Sequence, residues 1–249
     1  MKKRLGFTLL ELLIVIGIVG LMLGLVTPHL LKAKHVAQSA NCQNGLKQWG
    51  IATLAYKNDH RGYLPREGAS GQNHLTTAWY NALPPYAGAA PYNEIYDGKA
   101  LEDKTHGGYR NNWIWYCPKK VGEQKNSGSG KNSFHYAMNA VLNGTGGKTG
   151  FAPNLGTKSI GQHHLNVRLV QFPSETVFLV EPSANVPAVS PKRLDRIRHY
   201  GDRLNILFLD GRVHEIHSDS IPKYPNEFKL KSPFETAGPK TIWGPFRNW

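Results

Sequence analysis

Lys2-Lys3-Arg4-Leu5-Gly6-Phe7-Thr8-Leu9-Leu10-Glu11-Leu12-Leu13-Ile14 opens the chain, and beyond it Glu11 is the only formal charge before Lys32. Three cations, a Gly-Phe junction and a single carboxylate near the head of an apolar run make an unusual membrane segment. A carboxylate in a hydrocarbon span costs roughly 2.5–3.5 kcal/mol on insertion scales, so it generally has a partner and a task. Phe7 to Leu25 extends roughly 28 Å as a helix, close to the thickness of a bilayer core. A secretory signal peptide has a shorter apolar core followed by a small-x-small cleavage site, and no Ala-x-Ala site follows here. A plain single-pass anchor fits the length but leaves Glu11 without a role. With either anchor, Lys2, Lys3 and Arg4 hold the N-terminus in the cytoplasm and the remainder lies across the membrane.

On these residues the N-terminal segment resembles the prepilin family, the type IV pilins and the pseudopilins of type II secretion systems. The resemblance covers about residues 1–60. It implies cleavage by a prepilin peptidase after Gly6, leaving a leader of residues 1–6, and methylation of the new terminal amine on Phe7. It implies that Glu11 pairs with the Phe7 ammonium of a neighbouring subunit, so that a buried carboxylate meets a buried cation. Gly20 and Pro28 fall where many family members loosen or kink this helix. Independently of the family, proline deletes a helical hydrogen bond and glycine weakens the helix around it.

Helical periodicity continues past the span. Cys42, Leu46, Trp49, Thr53 and Tyr56 recur at steps of four and three, while Lys34, Gln38, Asn41, Gln48 and Asn58 lie opposite. The spacing predicts one helix from about Thr8 to about Asn58, its membrane part covering about residues 7–31 and its second half packed on a globular head. Asp59-His60-Arg61-Gly62-Tyr63-Leu64-Pro65 ends it, with glycine past the last turn and proline beyond. From Asn44 to Pro65 the sequence is also similar to large-headed prepilin-like proteins of diderm bacteria.

The head, residues 61–249, is long enough for one domain with its own core. The chain holds 26 glycines and 16 prolines, which favours a loop-rich β fold over a helical one. Strands are predicted at Trp113–Cys117, Phe134–Val141, Arg168–Phe172, Thr176–Val180 and Asn205–Leu209. The last leads through Asp210-Gly211, a hairpin signal, into Arg212–Ile216. Loops rich in Gly, Asn and Lys separate them at Gly122–Asn132 and Asn143–Gly161. The expected fold is α+β, a long N-terminal helix laid on an antiparallel sheet.

His199, followed by Asn205 and then Asp210-Gly211, resembles the His-to-Asp-Gly motif of those large-headed relatives. The family places nine residues between histidine and aspartate, and here there are ten. A structural role suffices for the motif: His199 ties the incoming loop to the hairpin, and Asp210 with Gly211 sets the turn. No third ligand is fixed by spacing, so no metal or catalytic site is assigned. His214 and His217 are three apart on the next strand and face opposite sides. Calcium, which major pseudopilins hold in a C-terminal loop, would need oxygen ligands. Asp195, Asp202, Asp210, Glu215 and Asp219 form no such loop pattern, so calcium is a weak expectation and no cofactor is assigned.

Cys42 and Cys117 are the only cysteines. Outside the cytoplasm two cysteines either form a disulfide, here pinning the helix to the head, or pack as small hydrophobes. Gly144-Thr145-Gly146-Gly147-Lys148-Thr149 ends like a phosphate-binding loop, but its leading glycine would fall at Leu142. Nucleophile-elbow, zinc-protease and Cys-x-x-Cys motifs are absent from the sequence, so the protein reads as a non-enzyme.

The net charge of +13 falls to +10 once Lys2, Lys3 and Arg4 leave with the leader. A basic head carrying Trp79, Trp113, Trp115, Trp243 and Trp249 suits DNA or an anionic polysaccharide. The competing reading, scattered surface lysines over core aromatics, fits the spacing better. Three functions follow: a structural pilin-like subunit, a minor pilin whose head binds DNA or glycan, and an exported enzyme on a prepilin-like anchor. The first is the leading reading. It implies the peptidase-methyltransferase and other pilin-like subunits as partners. It also implies an inner-membrane location with a periplasmic head, and an extracellular filament after assembly.

Overall fold

The computed structural model describes residues 8–68, 74–95, 114–119, 134–140, 142, 166–170, 172–183, 186–189 and 193–221. The leader, Gly6, Phe7, the two long polar loops, the Gly144–Thr149 segment, Trp113, Trp243 and Trp249 lie outside them. Helix α1 runs unbroken from Leu9 to Asp59, 51 residues, so it is about 76 Å long. Pro28 sits inside it, and the Thr27 hydroxyl donates to the Leu23 carbonyl one turn back. The first half is an exposed apolar stem: Leu9 to Leu31 presents its large side chains to the outside all round. The second half buries one stripe, Ser39, Cys42, Gly45, Leu46, Trp49, Gly50, Ala52, Thr53 and Tyr56.

The head is built on a five-stranded mixed sheet in the order β3-β1-β2-β4-β5. The strands are β1 (Ala137–Asn139), β2 (Val177–Val180), β3 (Ala188–Val189), β4 (Arg203–Phe208) and β5 (Val213–His217). Three neighbouring pairs are antiparallel, whereas β1 and β3 run parallel. The short edge strand β3 is not among the predicted strands. Short helices α2 (Trp79–Ala82) and α3 (Tyr92–Ile95), with a 3-10 turn at Pro84–Ala87, close the head beside α1.

Two predicted strands are not strands. At Val167–Leu169 the chain makes a 3-10 turn, because the Asn166 side chain accepts from the Arg168 amide and caps it. Between Ile114 and Cys117 the backbone is satisfied by side chains instead of a ladder. Trp49 Nε1 donates to the Ile114 carbonyl, and the Cys117 amide donates to His135 Nδ1.

Alternation along β4 separates two apolar layers. Leu207 joins the stripe of α1, the indoles of Trp49, Trp79 and Trp115, and Phe134, Tyr136 and Phe178. Leu204, Ile206 and Phe208 face the other side with Val177, Val180, Leu194, Ile216 and Ile221. Trp49 meets Trp79 and Trp115 edge-on at 5.2 and 4.9 Å between centroids, a favoured aromatic geometry.

Candidate functional site

Among the described residues, two places bring chemistry-bearing residues together. The first is the start of α1, where Thr8 and Glu11 form a capping box. The Glu11 amide donates to Thr8 Oγ1 at 3.2 Å, and Glu11 Oε2 accepts from the Thr8 amide at 2.9 Å and from its hydroxyl at 2.8 Å. The carboxylate therefore satisfies an orphan amide of its own helix while sitting among exposed leucines. Gly17, Gly20 and Gly24 have nothing within 4 Å of where a Cβ would lie. Among the described residues this stem is exposed and packs on no part of the head, and it is apolar and long enough to cross a membrane.

The second place is buried, where α1 crosses the sheet. Its construction follows from register. Val180 of β2 pairs with Ile206 of β4, which sets Glu181, the next residue, beside Asn205. Glu181 Oε2 accepts from the Asn205 amide at 2.8 Å. His199 arrives on an arm that folds back on Arg203, with Gly201 and Asp202 both at positive φ. Its Nε2 lies 2.9 Å from both Glu181 oxygens and 2.8 Å from Asn205 Nδ2. Above them Cys42 of α1 and Cys117 are joined in a disulfide, their Cα atoms 4.8 Å apart, and Cys117 Sγ is 3.6 Å from Glu181 Oε1.

Arg198 lies in the same cluster. Its guanidinium binds Asp195 at 3.0 Å and donates to the His135 and Pro182 carbonyls. Tyr136 donates to the Cys42 carbonyl at 3.1 Å. Burial, followed by the neighbouring Glu181 carboxylate, holds its hydroxyl well above the usual phenol range, so it remains a donor. Cys42, Cys117 and Glu181 are wholly buried and His199 almost so. Such a closed cluster suits a structural tie or a metal, since a substrate would have no approach to it.

The histidine and Asp-Gly parts of the sequence motif are not brought together. The length of β4, about 20 Å, separates His199 from the Asp210-Gly211 turn. Asp210 there accepts from the Arg212 amide at 2.9 Å, and Gly211 takes φ +88°. The five acids weighed for calcium are dispersed. Asp195 serves Arg198, Glu215 accepts from Ser39, Asp219 lies by His217, and Asp202 and Asp210 sit in turns at opposite ends of β4. Trp79 and Trp115 are core residues, so neither presents an indole to a nucleic acid.

Glu181 is the residue that sequence reasoning missed. Its signal was present, a lone carboxylate closing the apolar run Val177–Val180, where a buried charge demands a partner. Among the described residues, one group of His, Cys, Asp and Glu ligand atoms converges: Cys42, Cys117, Glu181 and His199, all within 4.8 Å of one another.

Residues 32–171 match the family described as "Protein of unknown function (DUF1559)", and residues 1–27 match the prokaryotic N-terminal methylation motif. No curated protein and no solved structure matches the chain.

Proposed function

The chain belongs to the DUF1559 family and is a prepilin-like protein, and from that premise we propose that it is a structural pilin-like subunit of a type II secretion or type IV pilus-like system. The observation that carries this reading is the stem. Leu9 to Leu31 buries none of its large side chains in the chain's own head, yet carries one carboxylate at its first turn. A segment so apolar needs lipid before assembly and neighbouring helices after it.

In this reading the peptidase cuts after Gly6 with the head on the periplasmic side, and Phe7 becomes an N-methylated terminus. Glu11 then exchanges its Thr8 contacts for the Phe7 ammonium of the adjacent subunit, a stronger, charge-assisted bond in a medium of low dielectric. The three small residues Gly17, Gly20 and Gly24 leave room for close approach of neighbouring helices. The head supplies a rigid body tied to the same helix by the Cys42–Cys117 bond.

The test is the mass of the N-terminal peptide from native membranes, together with subunit crosslinking of wild type and Glu11→Ala. A peptide beginning at N-methylated Phe7, with crosslinked ladders that Glu11→Ala abolishes, is the expected result. A peptide still beginning at Met1, or ladders indifferent to Glu11→Ala, would sink the proposal and leave an anchored head.

A further inference from the structure

The geometry points to a second state of the buried junction: with Cys42 and Cys117 reduced, the two thiolates, Glu181 and His199 form a closed four-ligand Zn²⁺ site. It goes beyond the assembly role and does not depend on it. Four ligands of three types reach one point from four separate segments: α1, the Ile114–Lys119 turn, the end of β2 and the arm before β4. Tetrahedral zinc, with bonds of about 2.0–2.3 Å, needs ligand atoms about 3.3–3.8 Å apart. Cys117 Sγ and Glu181 Oε1 already stand at 3.6 Å, and His199 Nε2 and Glu181 Oε1 at 2.9 Å. The widest separation, 4.8 Å, closes with a shift of about 1 Å.

Two further features leave room for a cation here. With the disulfide intact, a proton on His199 Nε2 satisfies the 2.9 Å contacts to the Glu181 carboxylate, and a metal takes the place of that proton. His199 Nδ1 is buried without a hydrogen-bond partner, so the ring can adjust without breaking a bond on that side. Charge nearly balances as well. Two thiolates and the Glu181 carboxylate are largely offset by Zn²⁺, and the Arg198–Asp195 pair beside them adds no net charge. The mixed sulfur, nitrogen and oxygen set suits Zn²⁺ above Ca²⁺ or Mg²⁺, which take oxygen ligands.

The chemistry is balanced by a dithiol reductant, which reaches the buried bond when the head opens or before it closes. It gives two electrons and two protons to the Cys42–Cys117 bond and closes to its own disulfide; Zn²⁺ then displaces the two thiol protons. The same helix-to-head tie would thus be covalent under oxidising conditions and metal-based under reducing ones.

The test uses the full chain in detergent, oxidised or reduced, titrated with Zn²⁺ and with Co²⁺ as a spectroscopic probe, while near-ultraviolet circular dichroism reports tertiary packing. One metal per reduced chain is expected, with thiolate charge-transfer and tetrahedral cobalt bands, and none at this site in the oxidised chain. Cys42→Ser and His199→Ala should each weaken binding more than about 100-fold, and Glu181→Gln at least about 10-fold. If reduction loosens the fold, Zn²⁺ must restore the dichroism. A reduced chain that takes up no metal overturns the proposal, as does one whose lost packing zinc fails to restore. Cobalt binding without thiolate bands, or left intact by Cys42→Ser, also overturns it.

Discussion

Glu67 shows what burial does to a single side chain. It is 9 % exposed, and burial pushes its carboxyl up to about 8 from an ordinary 4.5. Between those values the folded chain holds a proton that the unfolded chain has released. Stability therefore falls as pH rises from about 4.5 to about 8, and it is not lost below that window. Glu67→Gln removes the titration. In urea melts at a series of pH values, its unfolding free energy should match wild type near pH 5 and exceed it by about 1–3 kcal/mol at pH 8.5. A difference that stays constant with pH would show the carboxylate ionised in the folded protein. Tyr80, close beside Gly68, is likewise driven up by burial, to about 12, and stays neutral throughout this range.

At the scale of elements, the glycines of α1 divide by what stands opposite them. A Cβ on Gly50 would lie 3.0 Å from Leu207 Cδ1 and 3.2 Å from the Gly211 carbonyl oxygen, where the helix crosses the β4–β5 turn. One on Gly45 would lie 2.8 Å from the Tyr136 hydroxyl, which the Cys42 carbonyl holds in place. One on Gly20 would meet nothing. Gly50→Val should accordingly destabilise the head by about 1–3 kcal/mol through overpacking, read as a lower denaturation midpoint. Gly20→Leu should leave that midpoint unchanged and act only on association between stems. Equal effects at both positions would refute the division of α1 into a packed half and a free half.

For the whole molecule, charge and shape separate two interactions. The apolar stem handles membrane and neighbouring subunits, whereas a net charge of +8 lies on residues 61–249, a head whose Trp79 and Trp115 are used in the core. With those two indoles withdrawn from stacking, any DNA retention by the full-length protein should be electrostatic and independent of sequence. Binding measured by filter retention should be lost between about 50 and 200 mM salt. Retention that survives high salt, or discriminates between sequences, would indicate a specific nucleic-acid site and revive the binding-module reading.

Local order alone made α1 legible: the unbroken apolar run, the 3.6-residue stripe from Cys42 to Tyr56 and the Gly62–Pro65 stop each depend on neighbours in the chain. Predicted as about Thr8 to about Asn58, it is found at Leu9–Asp59. The Asp210-Gly211 hairpin was legible for the same reason, since the turn residues dictate their own geometry. Other features depend on distant pairing. β3 is two residues long and exists only because Met138 and Asn139 lie beside it. The Val167–Leu169 turn reads as apolar strand until Asn166 caps it. The buried cluster was the least legible, because Cys42, Cys117, Glu181 and His199 span most of the chain and share no spacing. His199 was singled out for its distance from Asp210, yet its partner is Glu181, placed by the β2–β4 register. By itself the sequence determined a prepilin-type stem with one carboxylate near the head of its apolar run, because those properties are periodicities and charges along a helix. Only the tertiary structure decided which polar groups meet beneath that helix, because a buried charge is stabilised by whatever the sheet register brings within hydrogen-bonding distance.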